Sequence, residues 1–143
     1  MVRVGIIGYG FVTKTFHLPL IGATEGIDVC AICSSRPEVV RAEQPGITVF
    51  DSPEALVASA AVDVVLVAST NDTHVPYARL ALAAGKHVIV EKPFALDLAE
   101  ARGLVAAANA AGRIITVFQN RRWDSDFLSV KAAIQDGSLG RVV

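Results

Sequence analysis

Val2-Arg3-Val4-Gly5-Ile6-Ile7-Gly8-Tyr9-Gly10 opens the chain, and its reading decides the fold. A β-branched run that ends at glycine reads as a strand buried on both faces, as in a parallel sheet. Gly8 permits a tight turn out of the strand, and Gly10 lets backbone approach a bound group. A helix is then predicted from about Phe11, ending near Pro19. Thr13 stands where a third small residue of G-x-G-x-x-G would be, so the helix is expected to ride slightly off the strand.

Outward from this stretch, strand and helix patterns alternate. Strands are predicted at Val2–Ile7, Ile27–Cys33, Ile47–Phe50, Val62–Ala68, His87–Val90 and Ile114–Phe118. Helices are predicted at Pro37–Ala42, Pro53–Ser59, His74–Ala84 and from Asp97 to Ala111, with a last one at Asp126–Gln135. Gly85 and Gly112 supply the stops, and Asp97 with Glu100 has capping-box-like spacing. Such alternation implies α/β architecture, a doubly wound parallel sheet with right-handed crossovers. With a glycine loop after the first strand, the expected order is 3-2-1-4-5-6, the Rossmann arrangement that binds dinucleotides at the carboxyl edge.

Composition narrows the alternatives. The chain has 143 residues, 52% hydrophobic and 19% charged, with a formal net charge of -1. That suits one domain with a real core and argues against disorder. No Lys/Arg run marks a nucleic-acid or anionic-membrane partner. No apolar stretch reaches the roughly 18 residues of a membrane span. A strand pattern directly after Met1, without a basic leader, makes a cytoplasmic setting the default expectation. Cys30-Ala31-Ile32-Cys33 has redox or zinc spacing. Residues three apart on a regular strand face opposite ways, and no second ligand pair exists. Both cysteines therefore read as small buried residues, and no metal site is expected.

The candidate site collects at the carboxyl ends of the predicted strands. Gly8, Tyr9, Gly10, Phe11 and Val12 form the phosphate-facing loop. An acid at the end of strand two normally takes the ribose hydroxyls of NAD. Asp28 has the spacing but begins that strand, roughly 20 Å from the correct end. The residues at the correct end are Ser34, Ser35 and Arg36. Two hydroxyls and a guanidinium suit a 2′-phosphate, so NADP(H) is expected over NAD(H). The competing reading of Arg36 is a solvated loop charge.

Strand four runs out into Ser69, Thr70, Asn71, Asp72, Thr73 and His74. Hydroxyls and an amide there suit ribose and carboxamide, and Asp72 or Thr73 also suits a helix cap. His74 either lines the pocket or packs at the helix start. His17 either faces the pocket rim or serves the helix end. Lys92 is the catalytic candidate. Lysine at the end of a central strand can bind a substrate hydroxyl and share its proton. The alternatives are phosphate neutralisation or pairing with Glu91, and the Lys92-Pro93 peptide is open to either isomer. Gln119-Asn120-Arg121-Arg122-Trp123-Asp124 reads either as a wall of the substrate site or as an Arg–Asp network with Trp123 filling the domain edge.

These motifs resemble those of the Gfo/Idh/MocA oxidoreductases. The likeness rests on Gly8-Tyr9-Gly10, Lys14-Thr15-Phe16-His17 with Pro19, Asn71-Asp72-Thr73-His74, Ala84-Gly85-Lys86-His87-Val88, Glu91-Lys92-Pro93 and Asn120 through Phe127. The last stretch is similar to a bacterial branch that includes NADP-dependent scyllo-inositol dehydrogenases. The resemblance implies that Ser35-Arg36 goes with NADP and that Lys92 is the catalytic-site lysine. It also implies that Glu91, Asn120 and the Ser69–Asn71 loop contact the cofactor. The expected substrate is a polyol, inositol or sugar.

Family members continue into a second α/β domain that completes the active site and carries the usual homo-oligomer interface. On that reading residues 1–123 form the dinucleotide-binding domain. Residues 124–143 hold a helix and the start of the substrate domain, whose sheet would open at Arg141-Val142-Val143. The 143 residues alone would turn over slowly or not at all. The resemblance also allows a non-enzymatic dinucleotide sensor, against which Lys92 argues.

Overall fold

The computed structural model describes residues 1–141, and the expected opening of a further sheet at Val142-Val143 lies outside them. Six strands form one sheet: β1 (Val2–Ile7), β2 (Ile27–Cys33), β3 (Thr48–Phe50), β4 (Val64–Val67), β5 (His87–Val90) and β6 (Ile115–Val117). Every pairing is parallel, and the order is β3-β2-β1-β4-β5-β6. Six helices follow in turn: α1 (Leu18–Gly22), α2 (Pro37–Glu43), α3 (Pro53–Ala58), α4 (His74–Ala83), α5 (Leu98–Ala111) and α6 (Ser125–Gln135). The predicted doubly wound fold is therefore observed, with element ends shifted by a residue or two.

Side-chain alternation along the strands divides the core into two layers. Val4, Ile6, Ile32 and Leu66 face Ile21 of α1 and Val40 of α2. Ile7, Ala31, Val65, Val67 and Val90 face Leu56 of α3, Ala78 and Leu82 of α4, and Leu104 of α5. Full burial of each such aliphatic side chain contributes about 1.5–3 kcal/mol, so a strand buried on both faces needs no polar alternation. Asp97 caps α5 by accepting from the Glu100 N–H at 2.8 Å. Glu100 returns the contact to Leu96 N–H at 3.2 Å rather than to the cap residue itself. None of the residues of α6 is buried, and no helix among the described residues is long and apolar enough to cross a membrane.

The first helix departs from the sequence reading. The chain is helical from Phe11, opens into a π turn at Thr13–His17 and continues through α1 to Gly22. Pro19 lies in the first turn of α1 and does not end the helix. Proline has no N–H to donate, and the wider turn immediately before it loosens the register in which its ring would clash.

The cysteine reading also needs correction. Val4 pairs with Val29 but Gly5 with Ala31, so Cys30 is the extra residue of a β-bulge. The bulge breaks the two-residue period, and Cys30 packs in the same layer as Cys33 rather than on the opposite face. Cys30 is half-buried, with its thiol 3.4 Å from the Ala61 carbonyl. Burial pushes the Cys33 thiol up to about 11, so it is an unreactive core group at neutral pH. Among the described residues no cluster of three His, Cys, Asp or Glu could hold a metal ion.

Gly8 fixes the centre of the sheet's carboxyl edge. Its φ is 109°, its N–H donates to the Cys33 carbonyl at 2.8 Å, and a Cβ there would collide with the Ala68 carbonyl. Gly8→Ala is expected to lower stability by at least about 1 kcal/mol in urea unfolding, since both backbone strain and a backbone clash oppose it. An unchanged unfolding midpoint would mean that the turn relaxes freely.

Candidate functional site

The strand ends converge on two adjoining clefts. The first, of about 610 Å³, runs from the β1 turn (Gly8, Tyr9, Gly10, Phe11, Val12) to the loop after β2 (Ser34, Ser35, Arg36) and the loop after β4 (Ser69, Thr70). The second, of about 640 Å³, is lined by Glu91 and Lys92 after β5 and by Phe118, Gln119, Asn120, Arg121 and Arg122 after β6. Phe11 and Val12 belong to both walls. The two clefts adjoin at Phe11 and Val12, and together they form the groove at the point where strand order reverses.

The glycine loop has the form a pyrophosphate requires. A Cβ at Gly10 would meet no protein atom within 4 Å, so the space it would take belongs to the cleft. The first-turn N–H groups of the following helix have no intrahelical acceptors and favour an anion. Thr13 is fully buried, and its hydroxyl donates to the Gly8 carbonyl at 2.9 Å. Tyr9 contributes backbone to the cleft but buries its ring. Its hydroxyl donates to Glu43 at 2.9 Å, and Lys14 bridges the same carboxylate at 2.7 Å. These partners hold the Glu43 carboxyl below its ordinary range.

At the end of β2, Ser34 Oγ accepts from the Arg36 N–H at 3.1 Å, which shapes the loop. The Arg36 guanidinium is exposed and forms no ion pair among the described residues. Asp51, at the end of β3, also lines this cleft, but Arg41 lies 3.4 Å from its carboxylate. Asp28 begins β2 and lines no part of either cleft.

After β4 the chain makes a 3₁₀ turn at Asn71–Thr73. Thr73 occupies the cap position of α4 but makes no capping bond, contrary to the sequence reading. Its hydroxyl donates to the Thr70 carbonyl at 2.7 Å and so accepts from Ser69 Oγ, also at 2.7 Å. Ser69 and Thr70 both line the first cleft. Two of the expected cofactor contacts, Asn71 and His74, are not among the cleft-lining residues. Asn71 is exposed on the turn and lines neither cleft. His74 is 1% exposed and is held at the start of α4, with Nδ1 donating to the Pro93 carbonyl at 2.7 Å. Its ring is engaged by backbone behind the wall, which resolves its two readings toward packing.

The second cleft rests on a buried His–Glu hydrogen bond that the sequence did not reveal. Glu91 is 6% exposed and His17 2%. His17 Nε2 meets Glu91 Oε1 at 2.8 Å, and Glu91 Oε2 accepts from the Lys92 N–H at 3.0 Å. Both carboxylate oxygens are thereby satisfied, as burial demands. The His17 ring also packs on Phe118, centroids 4.4 Å apart. Thr13, His17 and Ile21 are all buried at four-residue spacing, a stripe legible in the sequence. Lys92 is exposed, and its ammonium makes no ion pair with Glu91, so that alternative falls away. The Lys92-Pro93 peptide is cis. Arg121 pairs with Asp124 at 2.7 Å, yet Trp123 is 77% exposed and fills no edge.

Comparison with known proteins adds four findings. The profile of an oxidoreductase family described as having an NAD-binding Rossmann fold, Gfo/Idh/MocA, matches residues 2–119. The chain is 48% identical to the uncharacterized oxidoreductase YdgJ of Escherichia coli, over 99% of this chain and 41% of that protein. It is 36% identical to the scyllo-inositol 2-dehydrogenase (NADP(+)) IolW of Bacillus subtilis, over 96% of this chain and 38% of the relative. A crystal structure from Klebsiella pneumoniae superposes with TM-score 0.94 at 51% identity, covering 99% of this chain and 41% of that one. The chain thus spans about two fifths of the length of the relatives it matches.

Burial holds the His17 imidazole below its ordinary value, opposed by its hydrogen bond to Glu91. The folded state therefore resists a proton that the unfolded chain accepts below about pH 6.5. Stability is complete above that pH and declines as pH falls through it. The urea midpoint should drop between about pH 7.5 and pH 5.5, and His17→Gln should flatten that slope. Parallel pH profiles for the two proteins would contradict the assignment.

Proposed function

The chain belongs to the Gfo/Idh/MocA oxidoreductase family, and from that premise we propose that it is the NADP(H)-binding domain of a dehydrogenase acting on a polyol, inositol or sugar. The carrying observation is the pair of adjoining clefts at one sheet edge, one lined by Arg36 and the Gly8–Gly10 turn and the other by Lys92. When bound, the nicotinamide supplies the hydride acceptor or donor for a hydroxyl-bearing carbon.

The chain's own residues do the rest. Gly10 leaves room for the pyrophosphate, and the helix start that follows attracts its charge. Ser34, Ser35 and the unpaired Arg36 fork suit a 2′-phosphate. Ser69 and Thr70 offer oxygens to the riboside side of the groove. Lys92 binds the substrate hydroxyl and holds or releases its proton. Asn120, Arg121 and Arg122 border the same space with donors for substrate oxygens. Residues 1–123 form the binding unit, and 124–143 lead toward the part that completes the substrate pocket. By themselves the 143 residues turn over slowly or not at all.

Calorimetric titration tests the cofactor assignment. Arg36→Asp should weaken NADPH binding about ten- to a hundredfold, the value of one or two charge-assisted contacts. NADH affinity should change far less. Equal losses for both cofactors would overturn the 2′-phosphate assignment. In a protein that continues through the second domain, Lys92→Met should lower kcat by about 10²–10⁴ while leaving NADPH affinity nearly unchanged.

A further inference from the structure

Lysine is a poor instrument for proton exchange unless its flexible stem starts from a fixed point, because four side-chain bonds otherwise sweep the ammonium through the cleft. The Lys92 side chain is exposed and bridges to no carboxylate among the described residues. Its backbone, by contrast, is gripped on both sides. The preceding Glu91 N–H completes the sheet by donating to the Val67 carbonyl at 3.0 Å. The Lys92 N–H donates to Glu91 Oε2 at 3.0 Å, and His17 holds the other oxygen of that carboxylate at 2.8 Å. The following carbonyl, that of Pro93, accepts from His74 Nδ1 at 2.7 Å.

The two imidazoles come from separate elements, a π turn and the start of α4, and both are buried. A simple core histidine would need only satisfaction. Here each carboxylate oxygen of Glu91 has its own partner, so the carboxylate cannot rotate without releasing the Lys92 amide. We propose that His17, acting through Glu91, and His74, acting through the Pro93 carbonyl, are positioning residues that fix the backbone of Lys92 and so set where its ammonium stands in the groove. This rests on the reading of Lys92 as the substrate-contacting residue.

The test is labelling of this chain with trinitrobenzenesulfonate, an amine-selective reagent, with and without saturating NADPH, read by peptide mass spectrometry. Lys131, an exposed residue of α6 that lines neither cleft, is the internal reference. In the natural sequence NADPH shields Lys92. In His17→Leu the shielding should fall about tenfold, as expected for loss of one hydrogen bond to a charged group, while NADPH affinity stays near its starting value. His17→Gln, whose amide can still donate to Glu91, should restore most of the shielding. His17→Asn, too short to reach, should not.

Shielding that is the same in all three variants overturns the positioning role and leaves the Lys92 reading intact. Loss of shielding only together with loss of the fold, in both the Leu and Asn variants, assigns His17 to stability and also overturns it. NADPH binding without any shielding of Lys92 in the natural sequence refutes the underlying reading of Lys92 itself.

Discussion

Close contact between Gly8 and the end of β4 is the constraint on which the site depends. A parallel sheet can open a binding groove only where two neighbouring strands send their chains to opposite faces. Here those strands are β1 and β4. The Gly8 N–H reaches across to the Cys33 carbonyl of β2, while the Ala68 N–H reaches back to the Ile7 carbonyl of β1. Three strands are thus tied at one level by residues that a side chain at position 8 would force apart. Everything that lines the groove departs from this level: the helix start at Phe11, the Ser34–Arg36 loop and the Ser69–Thr70 loop.

The two halves of the groove are built differently. Around the β1 turn the wall combines glycine backbone, hydroxyls and apolar side chains, with the Arg36 guanidinium at one end, which suits a dinucleotide. Around β5 the wall carries a buried carboxylate and aromatic rings beside Lys92, Arg121 and Arg122, with two buried imidazoles behind it. Electrostatically the second arrangement is the costlier, since a carboxylate removed from water needs both oxygens occupied. The π turn helps meet that need: it carries His17 on the same buried stripe as Thr13 and Ile21, under the end of β5. Family membership explains why oxidoreductase chemistry is the natural reading of this half, and fold alone would not.

Much of the architecture was legible because it follows from local pattern. Apolar β-branched runs, the first ending in glycine, alternate with helical patterns and so specify the parallel sheet and its order. The cleft residues were legible where strand ends alone locate them, as with Gly10, Arg36 and Lys92. Asp51 and Phe118 obey the same rule and went unread. What local pattern could not carry was pairing at a distance. His17 and Glu91 are 74 residues apart, and nothing near either announces the other. The bulge at Cys30 likewise follows from register between two strands, and the continuation of the first helix past Pro19 from a π turn that no simple period signals. His74 lay inside a motif rich in cleft residues, yet its apolar surroundings at the start of α4 took it behind the wall.

The central claim is that one dinucleotide lies across the carboxyl edge, from the loop after β2, over the Gly8–Gly10 turn, to the end of β5. Amide chemical shifts of the isotopically labelled chain, followed by NMR during titration with NADPH, test this most directly. The account predicts a contiguous set of perturbed amides at Gly10–Val12, Ser34–Arg36, Ser69–Thr70 and Lys92, with the outer face of α5 unmoved. Perturbations confined to another surface, or none at saturating cofactor, would contradict it.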